Sequence, residues 1–258
     1  GLVAAVEVGG NRVELFDPGA VDRAEEERIA AWVARIHEAL ATDGFRLEFQ
    51  PMIALAGDGS EMYEVFLRML GSDGEPVEAS TFLPIAEEHG LLGQLDRWAT
   101  ARAIELIAQR LQAGKRTALQ LSLSQEALLD PTLASYIAAH LASTGAPGEL
   151  LVLAIPEAKV FTNLRAAQEF ALAMAGFDVR IALERFGAGL NSLQLLQHFD
   201  PALIKIDPQF MADLAKSADS QQQVRNIAVQ ARGRGIRTVA DRVQDATSMT
   251  LLFSAGVD

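Results

Sequence analysis

The chain has 258 residues, half of them hydrophobic, no cysteine and a formal net charge of −12. That length and apolar content suffice for one large domain of barrel size. The acidic balance excludes a general nucleic-acid or anionic-membrane surface, since both need broad positive fields, and the missing thiols exclude a disulfide framework or a thiolate zinc site.

Residues 1–18 alternate weakly around Gly9, Gly10 and Asn11 and are expected to form a hairpin, read as the tail of an upstream domain. A helix is expected from about Val21 to Ala41, acidic in its first turn through Asp22, Glu25, Glu26 and Glu27, and closed by Gly44. Residues 19–44 are thus expected to be a linker helix, and residues 45–258 the main domain.

That domain opens with two apolar runs, Phe45 to Leu55 and Met62 to Leu70, separated by Gly57, Asp58, Gly59 and Ser60, which predicts an antiparallel hairpin. Helical spacing then covers Phe82 to Glu88 and a long segment through Leu95, Ala99, Ala103, Leu106, Ile107 and Leu111. Strands are predicted at 117–123, 150–155, 179–184, 202–206 and 236–240. They alternate with helices near 131–144, 158–175, 191–197, 208–215, 219–234 and 244–254. This rhythm predicts a parallel sheet with crossover helices, closed as a modified (β/α)8 TIM-like barrel. A doubly wound open sheet is the alternative, but no glycine fingerprint follows the first strand. No apolar run reaches the ~20 residues of a membrane span, so a soluble, cytoplasmic domain without membrane insertion is expected.

Barrel chemistry sits at the carboxyl ends of the strands. The residues there are Gln50, Glu64 with Arg68, Ser122, Glu157, Glu184 with Arg185, Lys205 and Asp241. Where a metal-dependent hydrolase wants two adjacent carboxylates, this chain has Glu184 followed by Arg185, and a guanidinium repels divalent metal while attracting phosphate. The four histidines, His37, His89, His140 and His198, lack metal-ligand spacing.

The ordered set Gln50-Pro51, Glu64-Val65-Phe66-Leu67-Arg68, Phe82, Pro84, Ala86 and Glu87, Leu95-Asp96-Arg97-Trp98, Ser122-Leu123-Ser124, Phe186-Gly187, Ser192-Leu193, Lys205-Ile206-Asp207 and Val239-Ala240-Asp241 resembles an EAL domain over about residues 45–258. The resemblance implies a (β/α) barrel with an antiparallel first strand. It also implies a cyclic di-GMP site that, in active members, hydrolyses the ligand with Mg²⁺ or Mn²⁺.

Glu64 stands at the signature glutamate and Lys205 at the lysine that orients water, and both are expected here as vestiges without catalysis. The family's asparagine is Ser122, its next glutamate falls at Ala154, its paired aspartates at Glu184 and Arg185, and its late glutamate at Asp241. Those departures imply a degenerate domain without cofactor, because hard cations need a cage of oxygen ligands. The resemblance makes Gln50, Phe66, Leu67, Arg68, Pro84, Asp96, Ser122, Arg185 and Asp241 the expected ligand-binding residues. Phe66 could pack on a base, Arg68 could fork onto a phosphate, and Asp96 could accept from a guanine edge. Without the family pattern, Phe66 reads as core, Arg68 as a partner of Glu64, Asp96 as a partner of Arg97 or Arg102, and Lys205 as a partner of Asp207.

Glu64-Val65-Phe66 with Glu184-Arg185, behind a hairpin and helix, is further similar to degenerate members that follow a diguanylate-cyclase-like domain. Those members work with a PilZ-domain partner in type IV pilus control and twitching motility. The expected function is a cyclic di-GMP receptor that signals to a protein partner. The alternatives are a weak metal-dependent cyclic di-GMP phosphodiesterase and a nucleotide-independent interaction module.

Overall fold

The computed structural model describes residues 18–57, 61–71 and 74–258. The expected N-terminal hairpin and the turn residues Asp58, Gly59 and Ser60 lie outside the described residues.

Helix α1 runs over Pro18–Ala41. It starts at Pro18 rather than Val21, since proline's fixed φ suits a first helical position, so Asp22 and Glu25–Glu27 fall after the first turn. Its far end is integral to the domain. Ile36 and Ala39 are buried with Phe45, Met69, Phe82 and Leu95, and the Phe45 ring lies 5.8 Å from Phe82 and 5.5 Å from Trp98. Gly44 turns the chain out of this helix, where a Cβ would meet the Ala39 Cα at 2.8 Å.

Strands β1 (Phe45–Met52) and β2 (Glu61–Leu70) form the predicted antiparallel hairpin, and a short β3 (Pro76–Val77) pairs with β2. Helices α2 (Ala79–Glu88) and α3 (Leu92–Gln112) follow. Then β4 (Thr117–Ser122), β5 (Leu151–Pro156), β6 (Arg180–Phe186), β7 (Leu203–Ile206) and β8 (Arg237–Ala240) add in parallel. Among the described residues they make one eight-stranded sheet, seven strands in the order β1-β2-β4-β5-β6-β7-β8 with β3 off this path on β2.

The sheet is curled as the barrel reading requires. Strands β2 and β7 lie four ladder steps apart, roughly 19 Å in a flat sheet, yet Lys205 on β7 meets Glu64 on β2 at 2.5 Å. No ladder joins β8 to β1 among the described residues, so the structure is a half-barrel open between these two strands.

The middle strands are buried on both faces, which is why they read as continuous apolar runs; Leu151 to Ile155 are fully inaccessible. Between them lie α4 (Gln125–Leu129), α5 (Leu133–Thr144), α6 (Glu157–Thr162), α7 (Leu164–Ala175), α8 (Ser192–Leu195), α9 (Ala218–Arg232) and α10 (Ala246–Ala255). Three helical expectations change. The helix at 158–175 is two, because the Asn163 amide donates to the Lys159 carbonyl at 3.0 Å and its backbone leaves the helical region. The helix near 131–144 gains a separate α4 before it, capped by the Ser124 hydroxyl. The helix at 208–215 shrinks to a single 3-10 turn, Pro208–Phe210. Among the described residues, no helix is long and apolar enough to cross a membrane.

Candidate functional site

Two groups of side chains face each other across the barrel mouth. The first comes from the hairpin, where register sets Gln50 opposite Glu64, Glu48 opposite Phe66 and Arg46 opposite Arg68. Side chains alternate along a strand, so all six share the face that carries Glu64. Arg68 pairs not with Glu64 but with two other carboxylates, and is largely covered. Its Nε lies 3.0 Å from Glu48 and one terminal nitrogen 3.2 Å from Glu78 as ion pairs, the buried Nε–H having no hydrogen-bond acceptor, while the other terminal nitrogen donates to the Leu67 carbonyl at 3.2 Å. The Arg68 guanidinium also sits 5.8 Å from the Phe66 ring centre, and Phe66 is half-buried rather than core. Pro84 lies exposed inside α2, the helix that begins just after Glu78.

Asp96 on α3 pairs with neither Arg97 nor Arg102. Its Oδ2 accepts from the Ser124 backbone at 3.1 Å and hydroxyl at 2.5 Å, tying α3 to the loop after Ser122. Burial raises its pKa to about 6, against those Ser124 hydrogen bonds. Arg97 instead binds Asp130 at 2.6 Å, and Arg102 binds Glu105 at 2.9 Å.

The second group surrounds Lys205. Its ammonium donates to Glu64 at 2.5 Å and lies 3.2 Å from Asp241, not beside Asp207, which instead caps the turn by accepting from the Gln209 backbone at 2.8 Å. Burial works against the charge on Lys205, but Glu64, Asp241 and Glu184 outweigh it and hold the pKa above the usual lysine value. Ser122 donates to Glu184 at 2.7 Å. Burial pushes the Glu184 carboxyl upward, against Ser122 and the Lys205 charge.

A β-bulge explains why two consecutive positions reach this rim. Leu183 pairs with Ile204 and Phe186 with Ile206, so Glu184 and Arg185 together oppose Lys205. Arg185 absorbs the extra residue with φ of 52°, a left-handed conformation uncommon outside glycine, and its side chain is exposed. The loop beyond is anchored by Glu157, whose carboxylate accepts from the Gly187 backbone at 2.8 Å. Gly187 has φ of 96°, and a Cβ there would meet Ile227 at 2.7 Å.

The donor set does not fit a divalent cation. Ala154 is fully buried and offers no oxygen, Arg185 brings positive charge, and the Lys205 ammonium already engages Glu64 and Asp241. Among the described residues, no group of three or more His, Asp or Glu side chains could hold a metal ion. Beside the rim, between β1 and β8, lies a cavity of about 530 Å³ whose lining includes Gln50, Met52, Glu64, Lys205, Asp241 and Met249.

Arg46, Glu48 and Glu78 are absent from the expected site. Period-two alternation counted back from Gln50 puts Glu48 and Arg46 on its face, a signal legible in the strand itself. Glu78, across the β3 connection, has no such signal.

Comparison with known proteins agrees with this fold. The EAL domain family model matches residues 33–258. The structure is similar to the FimX EAL domain of Xanthomonas citri in complex with c-diGMP, with a TM-score of 0.88, 46% identity and 92% of each chain covered. It is also similar to the FimX EAL domain of Pseudomonas aeruginosa bound to c-di-GMP, with a TM-score of 0.82, 33% identity, and 88% of this chain and 91% of that one covered. Among curated relatives, the cyclic di-GMP phosphodiesterase PdeF of Escherichia coli is 26% identical over 228 residues, which are 88% of this chain but 30% of that protein. The chain belongs to the EAL domain family.

Proposed function

We propose that this domain is a cyclic di-GMP receptor without phosphodiesterase activity. The observation that carries the reading is the contrast at the mouth: Lys205 sits among Glu64 and Asp241 while the buried Ala154 offers no oxygen, and Arg68, Phe66 and Gln50 line the hairpin face. Similarity to two FimX EAL domains described as bound to cyclic di-GMP supports the ligand. In this reading Arg68 pairs with a phosphate, Phe66 packs on a base, and Gln50, Pro84, Asp96, Ser122, Arg185 and Asp241 complete the contacts. Leu67, whose side chain packs on the opposite face with the Phe45 and Phe82 cluster, contributes through its backbone. Glu64 and Lys205 are vestiges of catalysis.

Without metals the site lacks both water activation and stabilisation of developing phosphate charge, each capable of several kcal/mol of barrier. A receptor needs only differential affinity between two states. The proposed readout is a cytoplasmic PilZ-domain partner in type IV pilus and twitching control, by resemblance to degenerate members of this kind. Calorimetry tests the reading: low-micromolar or tighter binding, about −8 kcal/mol or better, supports it. Absence of binding with an intact fold leaves the barrel as a protein-interaction scaffold. Chelator-sensitive linearisation of the ligand would instead make the domain a weak phosphodiesterase.

A further inference from the structure

Arg46 and Arg68 stand directly opposite each other on β1 and β2, an arrangement that like charges disfavour. Glu48 relieves it. One of its oxygens lies 2.9 Å from Arg46 and the other 3.0 Å from the Arg68 Nε. Glu78, at the start of α2, adds a second carboxylate 3.2 Å from Arg68. Two cations and two anions therefore cancel at the hairpin end of the mouth.

A phosphate recognised by an arginine takes the parallel N–H groups of its fork. Here Glu48 and Glu78 stand within ion-pair distance of the Nε and the adjacent terminal nitrogen, while the buried Nε–H lacks a hydrogen-bond acceptor that a phosphate could supply. Arg68 is nearly covered, with a side chain 15% exposed, whereas Glu48 and Glu78 are 39% and 68% exposed. The carboxylates can swing into water; the arginine has little room to move. Glu48 can also keep its bond to Arg46 after giving up Arg68.

We propose that Glu48 is a displaceable internal anion, occupying Arg68 until the phosphate of an anionic nucleotide takes its place and thereby setting the affinity of the site. This rests on the reading of the mouth as a cyclic di-GMP site. Holding Arg68 aligned lowers the ordering cost of binding, and competing for it lowers the net gain. Competition dominates, because the contested atoms are the ones a phosphate uses.

The test is cyclic di-GMP calorimetry on the wild-type chain, Glu48→Gln and Glu78→Gln, at about 0.1 and 0.5 M salt, with melting curves to confirm folding. Glu48→Gln keeps the shape of the side chain and is expected to tighten binding about three- to fivefold, the upper range of a partly exposed pair. Glu78→Gln gives a smaller gain. The gain from Glu48→Gln persists at the higher salt, where interactions beyond a few ångströms are screened. An unchanged or weaker affinity in Glu48→Gln would overturn the proposal and make Glu48 a positioning residue. A gain that disappears at high salt would also overturn it, by reducing the effect to long-range repulsion. Binding by neither wild type nor Glu48→Gln would remove the receptor reading and this proposal together, an outcome distinct from equal binding by both.

Discussion

The two sides of the barrel mouth are both rich in charge, yet they hold it differently. Around Lys205 the charges are drawn inward: Lys205 and Glu64 have side chains 10% and 12% exposed, and their partners come from strands far apart in sequence. Along the hairpin, Arg46, Glu48, Arg68 and Glu78 form a chain of pairs whose carboxylates open to water. The first arrangement neutralises itself around the Lys205 ammonium. The second holds a guanidinium beside carboxylates that, in the proposal above, can be exchanged. In the proposed reading, loss of metal chemistry and retention of anion recognition belong to different clusters of side chains, although β2 contributes to both through Glu64 and Arg68.

Lys205→Met tests the inward side most severely. Removing the ammonium leaves Glu64 without its close partner, and breaking a buried pair in this way costs about 3–5 kcal/mol. Urea melts should show a loss near the lower figure, because Asp241 is 29% exposed. A loss below about 1 kcal/mol would mean that water replaces the lysine and that the two sides are alike.

On the hairpin side, Arg68→Ala should weaken cyclic di-GMP binding at least about tenfold, or 1.4 kcal/mol, with little effect on stability. Unchanged affinity by calorimetry would remove Arg68 from the contacts.

Asp96 ties α3 to the loop after β4 through Ser124, and its titration gives a pH signature. Its folded pKa of about 6 lies above the unfolded value of 3.8. The native state therefore binds more protons between those values, and stability falls as pH rises through the window. Melts at about pH 5 should show roughly 1 kcal/mol more stability from this group than melts at about pH 7. Asp96→Asn should flatten that difference; a wild-type chain with no such slope would place Asp96 in contact with water.

The smallest expected effect is at Ser122. Its hydrogen bond lowers the Glu184 pKa against burial, so Ser122→Ala should push that carboxyl further upward in a carboxyl NMR titration. The cost in stability should stay near 1 kcal/mol or below. A downward shift would mean that the serine disfavours the charged form.

Much of the fold is legible in the sequence, because buried parallel strands write themselves as short apolar runs bounded by polar turns. The break at Asn163 is not, since a side chain capturing the Lys159 carbonyl leaves no mark on hydrophobic periodicity. At the site, local strand alternation carries Glu48 and Arg46, but Lys205 finds Glu64 across 141 positions. No neighbouring residue encodes that meeting, and the nearer Asp207 is a plausible but wrong partner. The bulge at Glu184 and Arg185 is similarly hidden, because an arginine with positive φ lacks the glycine that usually announces such a position. It is nevertheless the geometric reason that two consecutive side chains address one rim.

The central claim is that ligand recognition here is uncoupled from metal. Calorimetry of cyclic di-GMP in chelator and in excess Mn²⁺, with the recovered nucleotide analysed after the titration, tests it most directly. The account predicts the same affinity in both conditions and only intact cyclic ligand at the end. Binding that requires Mn²⁺, or accumulation of the linear dinucleotide when Mn²⁺ is present, would contradict it.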